Sequence, residues 1–174
     1  NTLGGNRIYS LAYDSKAHAL WIALYDGGLD RFDIGSETFT HYRKSDINKT
    51  KSITSNNVRY VLLHSSGELY IATEGGGINR LNPQTAVFTH YTNSKEPWSI
   101  PSNKARTLCE EKSGKIWVGI NGSGAARLDP KSGKFEHFEP DPLMNGGIKG
   151  SVVQKIYQDS KENIWIGTLD GALN

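Results

Sequence analysis

Among 174 residues there is one cysteine, Cys109, so no internal disulfide can form. A lone cysteine says little about redox compartment. In its apolar strand context Cys109 reads as a small buried residue, not a reactive thiol. No apolar run approaches the ~18 residues a membrane span needs. No secretory leader is visible. The net charge is only +2, with acids and bases interspersed, which excludes a nucleic-acid footprint. No window repeats apolar residues at helical spacing, and glycine is too frequent for long helices. No glycine-rich turn is followed by a helix carrying Lys-Ser/Thr, so no phosphate loop is present.

What is there is repetition. Leu20-Trp21-Ile22-Ala23 returns as Leu69-Tyr70-Ile71-Ala72, Ile116-Trp117-Val118-Gly119 and Ile164-Trp165-Ile166-Gly167, with the aromatics 47–49 residues apart. Around each aromatic lie an opening apolar run, a turn, the aromatic run, a glycine-rich turn, a third run such as Ile78-Asn79-Arg80-Leu81, and a closing run such as Phe88-Thr89-His90-Tyr91. Each run is about 4–6 residues, rich in β-branched and aromatic types and bounded by turn formers, as strands are. Short connections predict antiparallel meanders. A four-stranded meander repeated at about 40–50 residues is a propeller blade. The expected fold is therefore an all-β β-propeller fragment of four-stranded antiparallel blades: 6–42, 56–91 and 103–138 complete, and 152–174 truncated. Small residues beside the aromatics (Ala23, Ala72, Gly119, Gly167) suit inner strands, where blades approach closely. An open arc would expose inter-blade faces and strand edges, which predicts self-association.

The pattern Asp-x-x-Gly-x-aromatic-Trp-apolar-Gly-Thr-x-x-Gly-Gly-Leu-x-Arg resembles the two-component regulator propeller repeat, and Asn163-Ile164-Trp165-Ile166-Gly167-Thr168 matches its core. The departures are Tyr70 for Trp, Ala23 and Ala72 for Gly, and His64 and Glu111 where Asp14 and Asp159 stand. The resemblance implies the periplasmic sensor region of a hybrid two-component histidine kinase. Its members form seven-bladed propellers, often two in tandem, that recognise oligosaccharides. By this resemblance the partners are an oligosaccharide ligand, the remaining blades of the same chain, and a second copy in a full-length homodimer. The membrane is met only through a transmembrane segment outside these residues. The fragment itself is expected to be no enzyme, with a kinase elsewhere in the protein, and to need no cofactor. The alternatives are a carbohydrate-active lyase or glycosidase on a propeller, or a dimerisation scaffold that binds no ligand.

In such a blade the turn after strand two and the link to the next blade share one face, where the irregular loops gather, and recognition belongs on such loops. Trp98 sits in a loop stiffened by Pro97 and Pro101: it either offers a plane for a sugar ring or folds back over a blade edge. Tyr25 carries the same two readings. Arg59 and Arg106 match Tyr9 and Gln154 in the innermost strands. They either grip carboxylates or sulfates at the channel mouth or bridge blades. Glu74 and Asn121 stand at turn tips on the same face. Arg31, Arg80 and Arg127 recur and read as scaffold. His41, His90 and His137 belong to three outer strands too far apart to share a metal, and read as solvated. Asp26, Glu74 and Asp170 read as ordinary turn acids rather than a Ca²⁺ or acid–base site.

Overall fold

The computed structural model describes residues 2–141, 143, 147–170 and 173–174. Among these described residues fourteen strands form three four-stranded sheets and one two-stranded sheet, each paired antiparallel in sequence order. The first sheet is β1 (Ile8–Asp14), β2 (Ala19–Leu24), β3 (Gly28–Asp33) and β4 (Thr38–Tyr42). The second is β5 (Val58–Leu63), β6 (Leu69–Thr73), β7 (Gly77–Asn82) and β8 (Val87–Tyr91). The third is β9 (Ala105–Glu110), β10 (Ile116–Ile120), β11 (Ala125–Asp129) and β12 (Lys134–Phe138). The fourth pairs β13 (Val153–Gln158) with β14 (Ile164–Thr168), and Asn174 exchanges backbone bonds with Ile166. Of the last glycine turn read from the sequence, Gly171 and Ala172 lie outside the described residues. The first strands β1, β5, β9 and β13 touch in succession, so the sheets fan around one axis as propeller blades.

Registers coincide between blades. Trp21 faces Arg31, Tyr70 faces Arg80 and Trp117 faces Arg127. The core is three inter-blade layers, not one central mass. Trp21 packs with Val58 and Val61 of the next blade, Tyr70 with Ala105 and Leu108, and Trp117 with Val153 and Ile156. The small inner-strand residues make this approach feasible: a Cβ on Gly119 would lie 2.5 Å from Thr107 Cγ2 and 2.6 Å from Val153 Cγ1. In the glycine turn before β7, Gly77 has φ +70, and a Cβ there would run into the Tyr91 carbonyl oxygen.

Each link is fastened by one rule. The residue four positions before the innermost strand meets the residue two past the end of the glycine-rich turn. Gly4 N donates to Asp30 Oδ2 (2.7 Å), Thr54 N to Asn79 Oδ1 (3.0 Å) and Lys149 N to Asn174 Oδ1 (2.6 Å). In the third blade the first of these positions is Pro101, which has no N–H, and the second is Ala126, which has no acceptor. Where the donor is missing, the buried acceptor is missing too. A buried polar group without its partner is costly, and the pair changes together. The turns after strand two are tied to the same links: Gly77 N donates to Asn103 O and Gly124 N to Ser151 O.

Candidate functional site

Every innermost strand carries a register shift at the same place, skipping Tyr9, Arg59, Arg106 and Gln154. A bulged residue has no cross-strand partner, and its strand bends there, so its side chain is re-aimed. The four bulges lie near the link-bearing ends of the innermost strands, along the axis of the arc, and this rim is the candidate mouth. Tyr25, Glu74, Asn121 and Leu169 follow strand two of each blade on that face.

The first two blades build a braced aromatic corner. The Tyr9 and Tyr25 rings lie 5.6 Å apart, and the Arg59 guanidinium carbon stands 4.8 Å from one centroid and 5.1 Å from the other. Arg59 Nε donates to Glu74 Oε2 at 3.2 Å, with both side chains largely buried. Arg7 covers the Tyr25 ring at 4.2 Å and pairs with Asp26 at 2.6 Å. Arg59 thus joins two blades and has its charge answered by Glu74. Tyr9 keeps about half its surface free, at 48%.

Arg106 differs. Its Nη2 donates to Gln154 Oε1 of the next blade at 3.3 Å, and among the described residues no carboxylate lies within 4 Å of it. Asn121 is half-buried, its backbone tied to Lys104 O. The residues after Tyr9, Arg59, Arg106 and Gln154 are Ser10, Tyr60, Thr107 and Lys155. Lys155 Nζ donates to Tyr60 Oη at 3.2 Å, reaching from the fourth blade to the second past the innermost strand of the third. Sequence reading missed this contact, because nothing local links positions 60 and 155.

Residues 147–170 match the family model described as "Two component regulator propeller". The fourth unit is thus similar to that repeat. No curated protein matches the chain. Among solved structures, the chain is similar to the extracellular domain of B. thetaiotaomicron BT3049, described as a hybrid two component system (28% identity, TM-score 0.85, 99% of this chain, 22% of that one). It is also similar to the extracellular domain of BT4673 from the same organism (26% identity, TM-score 0.74, 93% of this chain, 22% of that one). The chain spans about a fifth of the length of these structures. A virginiamycin B lyase from Staphylococcus aureus, 18% identical over all of this chain and 56% of its own, with TM-score 0.68, shares the fold.

The blades do not bring Trp98 to the mouth. The link before the third blade turns down along β12. Trp98 O accepts from Phe135 N at 2.8 Å, Ser99 O lies 2.7 Å from His137 Nε2, and Ile100 is fully buried. Trp98 therefore covers the outer edge of the third blade, toward the end remote from the mouth, with Lys134 Nζ 5.0 Å from its ring centroid and 45% of its surface exposed. Its loop is held by an outer-strand edge that needed a partner. The histidines are not simply solvated either. His90 and His137 are half-buried and fasten Ser52 O and Ser99 O, while His41 meets the buried Asp30 at 2.8 Å. Arg31 and Arg127 lie over the strand-two aromatics of their own blades, and all three recurrent arginines pair with acids: Arg31 with Asp33, Arg80 with Glu68, and Arg127 with Glu136 and Glu111.

Two larger clefts, of about 540 and 400 Å³, open between blades on the opposite face. Both are bordered by hairpin turns and by His64, whose nitrogens are engaged by Ser66 Oγ (2.8 Å) and Gly114 O (2.9 Å), with Glu110 at 3.3 Å. Burial pushes the Cys109 thiol up, away from a reactive thiolate. Among the described residues no three metal-ligating side chains gather. No helix among them is long and apolar enough to cross a membrane.

Proposed function

We propose that this arc is part of the extracytoplasmic, periplasmic sensing propeller of a hybrid two-component histidine kinase, and that an oligosaccharide binds at its channel mouth. The carrying observation is the braced corner: Tyr9 and Tyr25 rings held by Arg59, beside the hydrogen-bonding groups of Arg106, Gln154 and Asn121. Sugar rings have apolar C–H faces and hydroxyl rims, so a fixed aromatic plane with donors at its side suits them. The similarity to extracellular domains of hybrid two component systems supports the sensing role. In this reading the kinase, the other blades and a homodimer partner belong to the longer protein.

Calorimetric titration of the chain with a panel of oligosaccharides tests the reading. Binding without any change in the saccharide is expected, and Tyr25→Ala weakens it at least tenfold while Trp98→Ala leaves it unaltered. Cleavage of the saccharide would establish the enzyme alternative. No heat with any member would leave a scaffold.

A further inference from the structure

We infer that the mouth's third and fourth blades form a subsite for an anionic substituent, so that the saccharide recognised is acidic: a uronate or a sulfate ester. This rests on the sugar-binding reading and specifies its ligand class. The two mouth arginines looked equivalent in the sequence, and the fold makes them different. Arg59 spends its charge on Glu74 and its faces on two tyrosines. Arg106 has one neutral partner, Gln154. Immediately after Gln154 comes Lys155, exposed, whose ammonium meets Tyr60, 3.2 Å from its hydroxyl and 5.0 Å from its ring centroid.

The two cations stand on neighbouring innermost strands, linked through consecutive residues of β13. Among the described residues neither has a carboxylate within 4 Å, although every other arginine of the chain has one. A guanidinium offers a planar fork that matches a carboxylate or sulfate, and an ammonium adds a compact charge. With the amide of Gln154 and the hydroxyl of Tyr60 they make a wall dominated by donors and carrying two positive charges. The aromatic corner of the first two blades lies beside it on the same rim. An acidic saccharide would stack on Tyr9 and Tyr25 and direct its anionic group toward Arg106 and Lys155.

The test titrates the 174-residue chain with three probes of equal length, namely oligogalacturonate, a sulfated galactan oligosaccharide and neutral galactan, and with inorganic sulfate. At least one acidic probe is expected to bind tenfold or more tightly than neutral galactan, consistent with charge-assisted hydrogen bonds, and to weaken as salt rises. Arg106→Gln and Lys155→Gln each remove that preference, while Lys134→Gln on the outer edge leaves it intact. Lys155 is exposed, so its variant carries the test if Arg106→Gln fails to fold. Uronate and sulfate arms separate the two sources of charge. Equal binding of neutral and acidic probes, or a preference that survives both variants, overturns the subsite while the sugar reading stands. Sulfate binding lost in both variants, with no saccharide bound, keeps the anion subsite and overturns the sugar reading. No binding of any probe overturns both.

Discussion

Converting the second blade's fastening into the third blade's tests whether the link rule is physical. Asn79 is fully buried, and its Oδ1 accepts from Thr54 N at 3.0 Å and lies 3.0 Å from Thr54 Oγ1. Asn79→Ala removes that acceptor and leaves a Thr54 N–H with no partner. A buried hydrogen bond contributes about 1 kcal/mol, and an orphaned donor adds to the loss. Against this, Asn79 Nδ2 is itself buried and unpartnered, and that burden disappears with the side chain. The expected cost is therefore about 1–2 kcal/mol, at the modest end for a fully buried polar residue. Thr54→Pro alone orphans Asn79 Oδ1 and loses the hydroxyl contact to Gly76 O, 2.7 Å away. The double variant reproduces Pro101 with Ala126 and orphans neither group. Its destabilisation should fall short of the sum of the two singles by about 1 kcal/mol. Urea unfolding followed by tryptophan fluorescence measures all three variants. With a slope of roughly 2 kcal/mol per molar, Asn79→Ala shifts the midpoint by roughly 0.5–1 M. Additivity within about 0.3 kcal/mol would refute the coupling.

Asp159 accepts from Asn163 Nδ2 and Trp165 Nε1, both at 2.9 Å, and these bonds hold its carboxyl at about 2, below the ordinary 3.8. A depressed acid stabilises the fold above its ordinary pKa and stops doing so as pH falls through the folded value, so this contribution fades between about pH 4 and 2. Carboxyl ¹³C titration should give a midpoint near 2, and one near 3.8 would contradict the two bonds. The faces of the arc make a separate prediction. Leu11 is 55% exposed where its counterparts Val61, Leu108 and Ile156 are each 2% exposed, and Trp165 is 42% exposed where Trp21, Tyr70 and Trp117 are buried. Sedimentation should show concentration-dependent self-association, diminished by Leu11→Asp. A monomer at all concentrations would contradict it.

The blades were legible because each reuses one register. Spacing alone placed Trp21, Tyr70 and Trp117 at equivalent positions, and the small residues beside them proved to face the next blade. The mouth was half legible. The sequence puts Tyr25 and Glu74 at turn tips and Arg59 in an innermost strand, and the fold joins them, but Arg59 is answered internally and Arg106 is not. What the sequence hid depends on backbone geometry between distant segments. No local pattern marks a bulge, so the aim of Arg106 could not be read. Trp98 looked available because its loop is polar and proline-stiffened, yet the carbonyls at 98 and 99 were needed by Phe135 and His137 of the blade edge. The same demand turned His90 and His137 from solvated residues into fasteners.

Amide-shift mapping during titration with the tightest-binding saccharide asks most directly whether recognition occurs at the mouth. Shifts should gather at Tyr9, Tyr25, Arg106, Asn121, Gln154 and Lys155, with Ser65 to Gly67 and Asp129 to Ser132 on the opposite face unmoved. Shifts confined to those opposite turns would place the ligand in the clefts beside His64 and contradict a mouth built by the four bulges.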